Sequence, residues 1–384
     1  MKISSVVAKV VRDTTPLGRS DTPQVDVEIV HMNPMVSVGS GRGDADSFDP
    51  PWGEAICVVA FDNGEWGVGM TAHAGFVVPI INDYLAPMLV GEQVETVDDI
   101  SDLWDLMTTV AAAHIGAVGS ASYAISAVDL AMYDALGKSH LVPVYDLLGG
   151  PAHAAIQCYA TGTSVEKNAA FGFTRFKIPC PWLARGAEGV DATVAAVEAA
   201  RAAVGDAELM IDCWAVMDVD QAADVCNALE PYDLGFVEDF INPEDWDGYG
   251  DVRSRTNVRL AAGERWFTVR PFEQQASRGN VDVLQPDPLW VGGATPTVRI
   301  AEVARRHGID LAIHCGVNDA FGQHLCFALT ENVIGEMYIG ASTSLAESYR
   351  STPGMALPVN GALVPNDAPG FGIEITLDGI EAAT

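Results

Sequence analysis

Basic side chains are scarce in this chain of 384 residues: Lys and Arg number 21 against 52 Asp and Glu, for a formal net charge of −31. Only five of the 21 are lysines. Such a surface repels phosphate backbones and anionic headgroups, which argues against nucleic acid and membrane surfaces as partners. The acid excess reads as the solvating surface of a salt-adapted cytoplasm, with plain acidic drift as the alternative. Cysteine is sparse too, seven in number, and no two stand at Cys-x-x-Cys spacing. A chain of this length buries enough core to fold without staples, so the cysteines read as reduced thiols of a cytoplasmic protein. No apolar run approaches the roughly 20 residues of a membrane span, and the first residues lack a signal-peptide core. Charged residues make up 19% and hydrophobic ones 49%, which excludes a disordered chain. The length predicts two domains, or one large barrel with an appendage.

The first 80 residues read as β, with strands expected over 2–11, 25–31, 55–61 and 66–72. The last two flank Asp62-Asn63-Gly64-Glu65, whose Asn-Gly supplies the left-handed backbone of a tight hairpin. Residues 33–52 hold Gly, Ser, Asp and Pro without periodicity. Gly39-Ser40-Gly41-Arg42-Gly43 within them lacks the strand-then-helix frame of a phosphate cradle, so the stretch is expected to be a mobile lid. Apolar residues at three-four spacing predict helices over 77–89, 97–114 and 120–138. After Gly150 the texture changes. Eight short β-rich runs (155–160, 173–179, 208–214, 235–240, 259–264, 281–286, 310–314, 334–338) alternate with amphipathic or Ala-rich runs. That alternation predicts βαβ crossovers, a parallel sheet and closure into a (β/α) barrel. The expected fold is α/β: residues 1–125 form an α+β capping domain and 126–343 a modified TIM-type barrel. Residues 344–384 return to the cap, with a last strand at 372–376.

Chemistry in such barrels sits at the C-terminal ends of the strands. Seven of the eight runs carry an ionisable residue there: Lys177, Asp212, Glu238, Glu264, Asp287, His314 and Glu336. From Asp212 to His314 they recur every 23 to 27 residues, about one βα unit. A single strand-end acid is usually a salt bridge or helix cap, but three in phase with the repeat point to a shared cation. Asp212, Glu238 and Glu264 offer hard oxygen donors that suit Mg²⁺ better than Zn²⁺. Asp287 beside His314 would fix the imidazole tautomer and raise its basicity, as a general base requires. Lys177 would lend positive charge to a carboxylate or developing enolate, with Glu336 binding substrate or balancing charge across from it. Cys180, Cys213 and Cys315 adjoin these positions, and strand alternation assigns them to packing. Trp290 likewise reads as a packing residue.

The run Ala127-Val128-Asp129-Leu130-Ala131-Met132-Tyr133-Asp134-Ala135-Leu136-Gly137-Lys138, followed by Leu147-Leu148-Gly149-Gly150, resembles the helix that leads into the barrel of the enolase superfamily, mandelate-racemase-like branch. The three acids and the Asp287–His314 pair are similar to that branch's catalytic frame, and the resemblance covers essentially the whole chain. Asn33-Pro34-Met35, Ile211-Asp212-Cys213-Trp214, Leu284-Gln285-Pro286-Asp287 and Pro358-Val359-Asn360-Gly361 resemble the rhamnonate dehydratases within it. So does Lys177-Ile178-Pro179, where many relatives carry a second Lys as a base and Pro179 stands here. Three segments depart from the pattern: Glu238-Asp239-Phe240 in place of Glu-Glu-Pro or Glu-Gln-Pro, Arg265 in place of His, and a Gly- and Asp-rich lid.

The resemblance implies a hydro-lyase: Mg²⁺-dependent dehydration of a sugar acid, L-rhamnonate or a related aldonate, to a 2-keto-3-deoxy acid. His314 would take the C2 proton and return it to the departing 3-hydroxyl, with His31 as the alternative acid or an orienting donor. His31, Asn33 and Arg265 are the candidate substrate contacts. The resemblance also implies a homo-oligomer. Competing readings are a glycosidase, which leaves the third acid and the His pair unexplained, and a catalytically inactive binding protein. A further one is a dehydratase or racemase for another carboxylate.

Overall fold

The computed structural model describes residues 1–19, 53–180, 186–329, 333–340, 342–348 and 350–384. The expected lid at 33–52, with Asn33, lies outside them, and so does His31 with the strand expected at 25–31. An antiparallel sheet opens the chain in the order β1 (Ile3–Val10), β2 (Ala55–Phe61), β3 (Trp66–Thr71). Between β2 and β3 the expected hairpin forms, with Asn63 Oδ1 accepting from Glu65 N and Gly64 at φ 90°. Helical turns then run through Ala74–Pro79, Ile80–Leu85 and Ala86–Leu89. The middle one is a π turn directly after Pro79, whose ring withholds a backbone donor.

Helix α1 (Val97–His114) starts from a capping box between Thr96 and Asp99. It buries Ile100, Leu103, Trp104, Met107 and Ala111, one stripe at helical spacing. Helix α2 (Ser120–His140) is different, being buried almost all round from Ala121 to Gly137. Two of its carboxylates act as connectors. Asp134 accepts from Val68 N of β3, from Phe371 N of the tail and from Lys138 Nζ. Asp129 accepts from Thr295 N and Thr295 Oγ1 at the start of a barrel helix. The helix runs straight through residues 125 and 126, the expected division between cap and barrel.

Eight parallel strands follow: β4 (Ile156–Thr161), β5 (Arg175–Pro179), β6 (Glu208–Asp212), β7 (Val237–Glu238), β8 (Leu260–Ala262), β9 (Val283–Leu284), β10 (Asp310–Leu311) and β11 (Ile334–Tyr338). Each pairs with the next in sequence, β11 returns beside β4, and a parallel bridge from Leu311 to Val333 completes the ring. This is the (β/α) barrel that the alternation predicts. Between the strands lie α3 (Ala187–Val204), α4 (Val219–Leu229), α5 (Gly248–Arg253), α6 (Arg270–Ser277), α7 (Ala294–His307) and α8 (Ala320–Ala328). Inside the ring, Tyr159, Met210, Phe236, Ala261, Val283 and Ala312 form an apolar plug. Asp212, Glu238 and His314 each stand two residues beyond a plug residue, so the two-residue period of a strand sets ionisable groups just above it.

The tail adds β12 (Ala362–Leu363), antiparallel to β4. It then returns to the chain start, where Arg12 N donates to Ala383 O at the end of α9 (Leu377–Ala383). Residues 372–376 form no strand, a correction to the expected last strand, and Gly372 at their start has a left-handed φ of 66°. Ile373 and Ile375 are buried with the alternation of a strand, yet no ladder partner lies beside them. Among the described residues, no helix is long and apolar enough to cross a membrane.

Candidate active site

Asp212 ends β6 and stands in direct register with Glu238, which ends β7. Glu264 follows β8 through Gly263, whose φ of 146° lies in a region that disfavours any side chain. A Cβ there would also meet Gln285 N at 2.8 Å. Asp287 and His314 each lie three residues beyond their strands, where His314 N donates to Pro286 O. Glu336 sits within β11 and Lys177 within β5. The structure thus brings all seven residues to one mouth of the barrel.

They form two joined clusters. In the first, Lys177 Nζ lies 2.6 Å from Glu238 Oε2 and 2.8 Å from Glu336 Oε1. Gln285 Nε2 donates to the same Glu238 oxygen, leaving Glu238 Oε1 buried without a hydrogen-bond partner. Glu336 is fixed from three sides, by Lys177, by Thr161 Oγ1 and by Cys315 N. Lys177 and Glu336 are therefore direct partners rather than groups facing each other across the mouth. In the second cluster, His314 Nδ1 is 2.7 Å from Asp287 Oδ2 and His314 Nε2 is 3.0 Å from Glu264 Oε2. Arg265 pairs with both Glu264 and Asp239. Two of the departures from the family pattern are therefore one ion pair.

Electrostatics follow from burying so many charges together. Burial raises the Glu238 carboxyl well above its ordinary range; Asp212, Glu336 and Glu264 push it further, against the pull of Lys177. Asp212 is raised as well, by burial first and then by Glu264, while Lys177 opposes. Burial also works against charge on Glu264, but Arg265 and His314 overcome it and hold that carboxyl low. His314 is drawn well above its usual value: burial disfavours the imidazolium, and the negative groups around it, Glu264 among them, outweigh that cost.

The three acids fit a hard cation. Their donors are all carboxylate oxygens, Glu238 Oε1 is orphaned, and like charges repel at Asp212 and Glu238. They are not drawn together around a common point, since Glu264 is held by Arg265 and His314 and Glu238 by Lys177 and Gln285.

Four residues join the site that strand-end counting did not select. Arg350, from the tail, places Nη1 2.8 Å from Asp287 Oδ2 and its guanidinium over the Trp290 ring. Gln285 and Thr161 orient the two glutamates. Cys315 was assigned to packing by strand alternation, yet its Sγ lies 3.5 Å from His314 Nε2. The reason is local: Cys315 has φ 49°, a left-handed backbone in which adjacent residues no longer point to opposite faces. Trp290 packs as expected, its ring 5.1 Å from that of His314 and 5.9 Å from that of Tyr123.

Fold and site together define a capped parallel barrel that gathers its ionisable groups at the strand ends. Residues 160–379 match the enolase C-terminal domain-like family, and residues 55–149 match the mandelate racemase / muconate lactonizing enzyme N-terminal domain. The chain belongs to this mandelate racemase / muconate lactonizing enzyme family of the enolase superfamily. It is 32% identical over 330 residues to the L-rhamnonate dehydratase of Saccharopolyspora erythraea, covering 84% of this chain and 83% of that one. Similar solved structures include the following two. One is rhamnonate dehydratase from Gibberella zeae complexed with Mg, at TM-score 0.83 and 21% identity, with 99% of this chain and 95% of that one covered. The other is 3,6-anhydro-D-galactonate cycloisomerase from Zobellia galactanivorans, at TM-score 0.73 and 27% identity, with 86% and 93% covered.

Proposed function

We propose that the protein is a hydro-lyase that dehydrates a sugar acid, L-rhamnonate or a related aldonate, to a 2-keto-3-deoxy acid with Mg²⁺ as cofactor. The observation that carries this reading is the His314–Asp287 pair, set at 2.7 Å beside three strand-end carboxylates. The rhamnonate dehydratase relative supports the substrate class. Asp212, Glu238 and Glu264 would hold the cation, which when bound supplies positive charge to the substrate carboxylate and lowers the acidity barrier at its α carbon.

The chain's own residues do the rest. Asp287 accepts from His314 Nδ1, which leaves Nε2 to move the proton. Glu264 shares Nε2 in the resting arrangement and would grip it less if it also held a cation. His314 Nε2 then removes the proton from C2, and Lys177 offers positive charge to the oxygen on which the electron pair collects. The C3–O bond breaks as the C2=C3 enol forms, and the hydroxyl takes a proton from His314 to leave as water. The enol gains a proton at C3 and gives up the one on its C2 oxygen to solvent, leaving the keto acid. Pro179, in register with Asp212, occupies the position where a second base would stand, which favours dehydration over racemisation.

The test is a panel of aldonic acids with Mg²⁺, read as 2-keto acid formed. We expect turnover on at least one member, lost on EDTA treatment, restored by Mg²⁺, and reduced about 10²–10⁴-fold in His314→Asn. A folded protein that binds Mg²⁺ and turns over none of the panel overturns the reading.

A further inference from the structure

The Asp212, Glu238 and Glu264 set offers only oxygen, but a neighbouring trio has a different chemical character. His314 Nε2, Cys315 Sγ and a Glu336 carboxylate oxygen lie within 4.8 Å of one another, with Cys315 and Glu336 buried and His314 nearly so. One nitrogen, one sulfur and one oxygen make a donor set for a borderline-soft ion rather than for Mg²⁺. We infer that His314, Cys315 and Glu336 form a second metal site, one that takes a thiophilic divalent cation such as Zn²⁺ and excludes catalysis while it is occupied.

The spacing supports this. With Zn–S near 2.3 Å and Zn–N near 2.05 Å, a tetrahedral angle requires sulfur and nitrogen to stand about 3.6 Å apart. Cys315 Sγ and His314 Nε2 are 3.5 Å apart. Adjacent residues reach one ion only because of the left-handed backbone at Cys315, a conformation that costs energy in a side-chain-bearing residue and clusters at functional sites.

The surroundings are those of a metal ligand set. Metal-bound histidines commonly donate their other ring nitrogen to a carboxylate. Here Nδ1 faces Asp287 Oδ2 at 2.7 Å, and Arg350 holds that same oxygen at 2.8 Å. Glu336 is already oriented by Thr161, Lys177 and Cys315 N. The charges balance, because a thiolate and a carboxylate neutralise a dication and the imidazole enters neutral. The sulfur–metal bond forms as the S–H bond breaks, and the thiol proton passes to solvent. A thiol that merely hydrogen-bonds to the imidazole would explain the 3.5 Å contact, but not affinity for a metal. Exclusion of catalysis rests on the proposed function: the Nε2 lone pair that would coordinate the ion is the one that would take the C2 proton.

Co²⁺ serves as the probe, since a thiolate ligand gives it a near-ultraviolet charge-transfer band that carboxylates do not. The full-length protein is titrated with Co²⁺ in excess Mg²⁺, which keeps carboxylate-only sites filled. We expect a band that saturates at one equivalent, disappears on adding Zn²⁺, is absent in Cys315→Ser and persists in Cys57→Ala. Asp287→Asn should keep the band with cobalt affinity weakened about 10–100-fold. Absence of the band in the wild type overturns the site, and this holds even if Cys315→Ser fails to fold. A band that survives in folded Cys315→Ser overturns it too. Wherever dehydration is measured, one equivalent of Zn²⁺ in excess Mg²⁺ should stop it; undiminished turnover with the site filled overturns the exclusion. A cobalt band without dehydration supports the site and defeats the dehydratase reading alone.

Discussion

His324 shows what one buried group contributes to the pH response of the fold. It lies in α8 against the rings of Tyr145 and Phe371, and neither ring nitrogen has a hydrogen-bond partner. Burial lowers its pKa from 6.5 to about 3. The unfolded chain therefore binds a proton between those values that the folded one does not, so stability contributed above pH 6.5 is lost as the pH falls toward 3. Replacing His324 with Leu removes both the orphaned nitrogens and this linkage. We expect His324→Leu to melt higher than the wild type, with an advantage that widens as the pH drops from about 6.5 to about 4.5. Parallel melting-temperature curves across that window would contradict the argument. Another buried group works in the opposite direction: burial raises Asp129 from 3.8 to about 7, so its contribution is lost as the pH rises toward that value. Only the difference between variant and wild type isolates His324.

Helix α2 packs so closely on β3 that Gly67 and Gly69 have no room for side chains. A Cβ on Gly69 would lie 2.0 Å from Ala127 O, and one on Gly67 would lie 2.0 Å from Ala131 O. Gly69→Ala should cost about 1–3 kcal/mol or more by forcing helix and sheet apart, measured as a lower denaturation midpoint. Because the clash is with a carbonyl oxygen, Ala127→Gly should fail to rescue it; rescue would show that the contact is with the side chain instead. This closeness also explains what could be read beforehand. Helix α1 announced itself because it buries one stripe at helical spacing, and the eight barrel strands because short apolar runs, buried on both faces, alternate with helical ones; the strand-end residues from Lys177 to Glu336 followed from counting. Helix α8 did not, because all nine of its residues are buried and no amphipathic period survives. Residues 372–376 alternate like a strand because Ile373 and Ile375 are buried, but burial without a ladder partner does not make a strand. Arg350 reaches Asp287 across 63 residues of chain, and Arg265 reaches Asp239 across 26. Pairs formed by barrel closure leave no local trace. Cys315 escaped for another reason, since a left-handed residue breaks the alternation by which its direction was judged.

Across the molecule as a whole, the charge of −31 outweighs any single interaction, and the bases are too few to offset it. Ion pairs do form on the surface, Arg255 with Asp220 and Arg306 with Glu273 among them. Exposed pairs contribute about 0–1 kcal/mol each, and salt weakens them. Salt also weakens the repulsion among the acids left unpaired, and since 52 carboxylates face 21 bases, repulsion is the larger of the two screened quantities. The fold should therefore gain stability as salt is added. The dependence should have a particular shape: the screening length shrinks from about 30 Å at 0.01 M to about 10 Å at 0.1 M and about 3 Å at 1 M. Most of the gain should then come below about 1 M, with NaCl and KCl equivalent. A melting temperature that rises steeply at low salt and levels off would identify relief of self-repulsion as the cause. A rise that continues undiminished into several molar, or that differs between Na⁺ and K⁺, would instead identify ion hydration at the carboxylates, the mark of a surface built for a salt-rich cytoplasm. A flat or falling curve would mean that the paired charges outweigh the unpaired ones, and the acidic surface would then serve solubility without setting stability.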